Sequence, residues 1–364
     1  REKALGPEHP DVAGSLNDLA GVFEDQGRYA EAEPLYQRSM MIYEKALGPE
    51  SPDVALSLNN LAVLEVIQGR YAEAEPLFQR SLKIRERVLG PQHPLVAATL
   101  LNLAGCYEAT RRFPEALTNL TRAMRVEQTN IDQLFAVSSE TVMRGYLATV
   151  YKSLEELLSL ARESVGAYPE VADSALAGTL RRKAVILESL VRFREAQRLA
   201  SEDAAVARQS EELLGLREQL NRVVMSPNMK VEMASRDSQI VALRRNGDRL
   251  EADLNRRISE RLPKGMFNNV DLQTVRRALP AGSALVEFAR AELVDYRAGE
   301  GSGWKPAHYF AFVLAAEEKA PVRMVDLGDA EEIDRQIRRF RGALDLRDAR
   351  RGVGTPAVSS EARE

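Results

Sequence analysis

Between residues 10 and 25, apolar side chains fall at Val12, Leu16, Leu19 and Phe23, spaced four, three and four apart. That spacing returns to one side of a 3.6-residue helix at every step, so it predicts a helix from about Pro10 to Asp25 with a single buried stripe. Pro10 suits the first turn, where its missing N–H costs nothing, and Gly27 ends the run by permitting a left-handed backbone. A second amphipathic stretch, from about Ala30 to Leu47, presents Ala32, Leu35, Tyr36, Ser39 and Met40. Ala20 and Ala32 are small, as two closely approaching helices require. Pro34 lies beyond the first turn of this second helix and is expected to kink it.

The pattern is then written again. GRYAEAEPLYQRS at 27–39 and GRYAEAEPLFQRS at 69–81 differ only at Tyr36 against Phe78. Residues 4–45, 46–87 and 88–129 align throughout, matching Leu16/Leu58/Leu100, Leu19/Leu61/Leu103, Ala20/Ala62/Ala104 and Ala32/Ala74/Ala116. One helix pair of this size cannot cover its own apolar side, so the copies are expected to stack and share a core. The Leu/Ala/Gly/Tyr/Ala pattern and the connector LGPEHPDVA resemble the tetratricopeptide repeat, in the forty-two-residue form typical of kinesin light chains. The resemblance covers 1–129 and implies a mainly α protein built on a right-handed α-solenoid.

Helical periodicity continues without the identity. Stretches 138–167 and 170–203 predict two degenerate helix pairs over 130–203, ending beside a worn copy of the repeat, RFREA at 192–196. Leu213, Leu216, Leu220 and Val223, then Ile240, Leu243, Leu250 and Leu254, form two heptad seams around Pro227. They predict an antiparallel coiled-coil hairpin over 204–262, with a single irregular helix as the alternative. Strands are expected at 283–290, 307–315 and 322–328, after a short helix capped by Asp271 and before a helix over 329–344 capped by Asp329. Residues 346–364 read as a disordered tail.

The order LPAGSALVEF, a Gly-rich connector, WKPAHYFAFVL, VDLG and a helix resembles the opening of a CHAT domain over about 270–345. Leu279, Pro280, Leu285, Val286, Trp304, Pro306, Tyr309, Ala311, Phe312, Val325, Leu327 and Gly328 carry the likeness. The resemblance implies a caspase-like cysteine peptidase with a Cys–His dyad on a parallel sheet, the dyad falling beyond the residues present. Of the candidates in the chain, His308 lies inside a strand and reads as a structural or rim residue. Cys106 reads as a small buried hydrophobe, and His9 and His93 as loop or capping residues. No catalytic residue is assigned, and the fragment is expected to be inert.

Composition narrows the partners. The 364 residues carry a net charge of −4, which supplies no basic stripe for nucleic acid or an anionic membrane. A lone cysteine excludes an internal disulfide and a multi-cysteine zinc site, and no metal or cofactor is expected. No apolar run approaches the roughly twenty residues of a membrane span. A cytoplasmic protein is expected, with its true N-terminus missing because REKALGP already belongs to a repeat. Acidic pairs such as Glu155–Glu156 and Glu331–Glu332, and the basic LRRKA at 180–184, read as solvated surface.

The first helix of each pair lines the concave face in solenoids of the resembled type. Here that face would carry Asn17, Asp18, Asn59, Asn60 and Asn102. Asparagine both donates and accepts, so a ladder of such side chains can hold an extended peptide by its backbone; the alternative is a merely solvated polar face. Glu24, Asp25, Glu65 and Glu108 would make the far edge acidic, favouring a basic or neutral peptide. The architecture therefore suggests a protein-interaction and regulatory module of a bacterial CHAT protease, associating also with its own protease portion. A non-catalytic scaffold or cargo adaptor is the alternative, and a self-assembling array a third reading.

Overall fold

The computed structural model describes residues 2–137, 140–225, 233–261, 271–295 and 303–351. A short helix, α1 (Glu2–Leu5), precedes three helix hairpins: α2 (Pro10–Asp25) with α3 (Tyr29–Leu47), α4 (Pro52–Ile67) with α5 (Tyr71–Leu89), and α6 (Pro94–Ala109) with α7 (Phe113–Val137). Each first helix starts with proline behind a side-chain cap. His9 Nδ1 accepts from the Asp11 amide (3.1 Å), Ser51 Oγ from Asp53 (3.2 Å) and His93 Nδ1 from Leu95 (3.2 Å). An imidazole nitrogen thus takes the place of the serine oxygen as the N-cap acceptor. The tight turns use a left-handed residue: Gly27 at φ +73°, Gly69 at +75° and, in the third hairpin, Arg111 at +59°.

Pro34 and Pro76 do not end their helices; α3 and α5 run on through them. A proline this near the N-terminus forfeits one backbone bond, which the packing of the following turns outweighs. In the third hairpin Pro114 has moved to the second position of α7, where no bond is lost.

Within each hairpin the helices meet over alanine: Ala20, Ala32, Ala62, Ala74, Ala104 and Ala116 are all buried. Ser39 Oγ donates to the Ala13 carbonyl (2.8 Å) and Ser81 Oγ to Ala55 (2.7 Å), a polar stitch repeated at the same place. Between hairpins, Leu61 and Leu103 are 4% and 3% exposed, whereas Leu19, with no hairpin stacked before it among the described residues, is 43% exposed. The same leucine position is therefore core or surface according to its neighbour. Arginine–glutamate pairs recur along the outside, Arg38 with Glu2, Arg80 with Glu44 (2.6 Å) and Arg122 with Glu86. Such exposed pairs contribute a few tenths of a kcal/mol each and act mainly to fix the stacking register.

Beyond the repeats the helices lengthen, and one hairpin follows rather than two degenerate pairs: α8 (Glu140–Ser164) and α9 (Glu170–Glu202). In the worn copy at 192–196, Val191 stands where Gly27 stands in the first repeat. A β-branched residue resists the left-handed backbone, so no turn forms and α9 continues. Helices α10 (Ala204–Met225) and α11 (Met233–Arg261) run antiparallel, with Gln209 Nε2 donating to Leu250 O (3.2 Å), Arg217 pairing with Glu251 (3.1 Å) and Leu213 packed over Gly247. Leu213 is buried, while Leu216, Leu220, Ile240, Leu243, Leu250 and Leu254 are half-buried. The turn around Pro227, the side chain of Val223, the connector at 296–302 and the tail from 352 lie outside the described residues.

The C-terminal region comprises α12 (Leu272–Ala278), an antiparallel sheet in the order β1 (Ala284–Asp295), β2 (Gly303–Ala315), β3 (Arg323–Asp329), and α13 (Ala330–Arg351). Asp271 and Asp329 cap their helices by accepting from the Thr274 (2.8 Å) and Glu332 (2.9 Å) amides. Helix α13 passes the expected end at 344 because the first glycine or proline after Gly342 is Gly352. The sheet shares its core with the helices. Phe310, Phe312 and Leu314 are fully buried in one cluster with Leu154, Leu157, Leu158 and Leu160. Val294 N–H donates to Ser159 Oγ (2.9 Å), and Arg162 holds Asp326 (2.6 Å). A three-stranded sheet that would be marginal alone is thus completed by α8.

Candidate partner-binding face

Helices α2, α4 and α6 lie side by side, and their asparagines meet across the repeat boundaries. Asn60 Nδ2 donates to Asn17 Oδ1 at 3.2 Å, and Asn102 Nδ2 to Asn59 Oδ1 at 3.3 Å. These four side chains are half-buried, and Asp18 is exposed. Each rung uses one donor and one acceptor, leaving further amide capacity for a ligand backbone. The inter-repeat pairing was not foreseen; the signal was present in the matched positions of Asn17 with Asn59 and of Asn60 with Asn102.

The acidic edge is shorter than expected. Glu65 and Glu108 are buried, at 6% and 5% exposure, and Glu65 is held by Arg70, which also reaches Glu33 (2.6 Å). Burial of a carboxylate this deep requires a cation, so Glu65 belongs to the packing between hairpins. Exposed or half-exposed acid remains in the first repeat, at Asp18, Glu24 and Asp25. Glu24 accepts from the Tyr36 hydroxyl at 2.8 Å. Burial raises the Glu24 carboxyl above the ordinary range, the Tyr36 bond opposing it in part. The repeat explains why Tyr36 becomes Phe78: Val66 occupies the place of Glu24, so the hydroxyl has no carboxylate to meet.

None of the sequence candidates for chemistry is brought into a reactive arrangement. Cys106 is buried, its Sγ 3.4 Å from the Tyr71 carbonyl, and burial pushes the thiol up to about 11, where thiolate is scarce. His308 Nδ1 lies 2.8 Å from Asp326, a structural contact between β2 and β3. Burial would raise the Asp326 carboxyl, but bonds from Arg162, His308 and the Gly328 amide (2.8 Å) outweigh it and hold the group below its usual range. Glu155 and Glu156 are half-buried instead of solvated, and in LRRKA Arg182 is buried. Among the described residues no group of three or more His, Cys, Asp or Glu side chains gathers to hold a metal. No helix among them is long and apolar enough to cross a membrane.

Residues 1–45, 11–74 and 53–128 match the tetratricopeptide repeat family, so these hairpins are tetratricopeptide repeats, a scaffold for protein–protein interaction. No curated protein matches the chain. Among solved structures the chain is similar to BtubC (BKLC) from P. vanneervenii at 25% identity and a TM-score of 0.33, over 40% of this chain and 57% of that one. It is also similar to a putative kinesin light chain with nearly identical TPR-like repeats from Podosopora anserina. That likeness has 21% identity in one crystal structure and 20% in another, each at a TM-score of 0.32 over 56% of this chain and 98% of that one.

Proposed function

We propose that the face made by α2, α4 and α6 holds an extended peptide of a partner protein, bound through Asn17, Asp18, Asn59, Asn60 and Asn102. The observation that carries this reading is the pair of asparagine rungs, which set amide groups in one line across three repeats. A peptide backbone alternates N–H and C=O, and such a line offers matching partners whatever the peptide sequence. Exposed or half-exposed acid at Asp18, Glu24 and Asp25 favours a basic or neutral segment at the first-repeat end.

On this reading the module is cytoplasmic and serves a CHAT-type protease, with residues 270–345 as the first layer of that domain. Support comes from the outer side of the sheet, where Phe288, Ala311 and Val325 lie opposite one another across the strands. Phe288 is 54% exposed, and Val286 and Leu327 are exposed beside it, an apolar area that a further layer would cover. The three strands are antiparallel, whereas the resemblance implies a parallel sheet for the catalytic portion. The repeats favour equally a scaffold or cargo adaptor that needs no protease.

Affinity capture with the whole chain, repeated with Asn59→Ala and Asn60→Ala together, tests the groove. Partner recovery should fall at least about ten-fold if two backbone-directed bonds are lost. Circular dichroism on the same variant shows whether the solenoid persists. Unchanged recovery from a folded variant removes the groove reading.

A further inference from the structure

Several arginines of this chain pair with carboxylates. Arg80, Arg112, Arg122 and Arg162 each reach a glutamate or aspartate on another element. Arg125, which is exposed, and Arg181 have no such partner: among the described residues neither side chain makes a hydrogen bond or an ion pair. Both line one cleft of about 500 Å³ between α7 and α9, lined also by Leu157 of α8 and Leu272 of α12. Arg181 is half-buried there. Burial first, and then the charge of Arg125, hold its guanidinium below the usual arginine range, so the two cations feel each other. Its sequence neighbour Arg182 instead has the Glu127 carboxylate nearby.

The geometry points to an oxyanion site in this cleft, a phosphate or carboxylate group held between the guanidiniums of Arg125 and Arg181. Two arginines lining one cleft from different helices suit an oxygen-rich anion, because a guanidinium binds such a group through paired N–H donors. Ser174 lines the same wall and adds a hydroxyl donor. Asp173 also lines the cleft, its Oδ1 accepting from the Val322 amide at 3.4 Å; its carboxylate offsets one guanidinium, so the lining keeps a single net positive charge. The cleft has room for the anion together with a small organic molecule that carries it. None of the asparagines of the α2–α4–α6 face lines this cleft, so the site stands independently of the groove.

Thermal unfolding of the whole chain at constant ionic strength, with inorganic phosphate or succinate replacing chloride, tests the site. At an anion concentration about ten-fold above its Kd, the midpoint should rise by roughly 2–4 °C. The rise should vanish in Arg181→Gln and in Arg125→Gln, and persist in Arg111→Gln as a surface control. A response to phosphate alone or to succinate alone identifies the group carried by the ligand. Without anion, Arg125→Gln should leave the midpoint unchanged or raise it, because a like-charge contact is removed. No response to either anion, a response retained in both cleft variants, or a marked loss of stability in Arg125→Gln without anion would overturn the assignment.

Discussion

Gly69→Ala isolates the backbone cost of the turn between α4 and α5. Gly69 holds φ at +75°, and a Cβ built there meets nothing within 4 Å. The substitution therefore creates no clash, and its whole effect is conformational. Placing an L-residue in the left-handed region costs about 1–2 kcal/mol. Alanine recovers about 0.4–1 kcal/mol of that by restricting the unfolded chain. A net loss of about 0.5–1 kcal/mol is expected. The third repeat supplies the reciprocal experiment, because Arg111 holds the equivalent turn at φ +59°. Arg111→Gly should gain by the same difference, less whatever is lost from the guanidinium 5.6 Å from the Phe113 ring centre, worth about 0.5 kcal/mol at an exposed site. Urea titrations followed by far-ultraviolet circular dichroism would measure both. Opposite shifts in midpoint, with unchanged slopes, are expected. A neutral or stabilising Gly69→Ala, or an Arg111→Gly as damaging as Gly69→Ala, would refute the claim that glycine is used here for its backbone alone.

Tyr36→Phe should cost about 1–2 kcal/mol by stranding the half-buried Glu24, while Glu24→Val with Tyr36→Phe, the pairing written at Val66 and Phe78, should recover most of it; additive single losses in a double-mutant cycle would disprove the coupling. Glu127 is buried, and burial pushes its carboxyl up to about 7 despite a 2.6 Å bond from Ser153 and the charge of Arg182. Because its folded value exceeds the unfolded one, near 4.3, the folded state binds the proton more tightly and this site's contribution is full below that lower value. Stability should fall as pH rises toward 7, by up to about 3 kcal/mol from this group, and Glu127→Gln should flatten that slope in urea titrations across the window. His93→Ala should remove the α6 cap and cost about 1 kcal/mol, with His93→Ser, the arrangement at Ser51, restoring it; equal midpoints for the alanine and serine variants would show that the imidazole does not cap.

Helix positions, hairpin turns and the stacking of the repeats were legible along the chain because each depends on residues three, four or forty-two apart. Periodicity of that kind survives in one dimension. It located Gly27, the caps at Asp271 and Asp329, and the three strands, and it placed Asn17, Asn59, Asn60 and Asn102 on neighbouring first helices. It failed where a position's meaning depends on what lies beside it. Leu19 and Leu61 are the same letter in the same register, yet the first is surface and the second core. Glu65 looked like groove edge until Arg70 and Glu33 closed over it.

The docking of the sheet is the clearest case of information absent from local pattern. Its ties, Val294 to Ser159 and Arg162 to Asp326, join residues more than a hundred positions apart, with no repeat to announce them. The placing of Arg125 and Arg181 on one cleft is of the same kind. Local sequence sets which way a segment coils and which side is apolar. Which apolar side meets which, and which charges are left facing each other, follows from packing a particular set of helices into one volume, where burial and desolvation are properties of the neighbours.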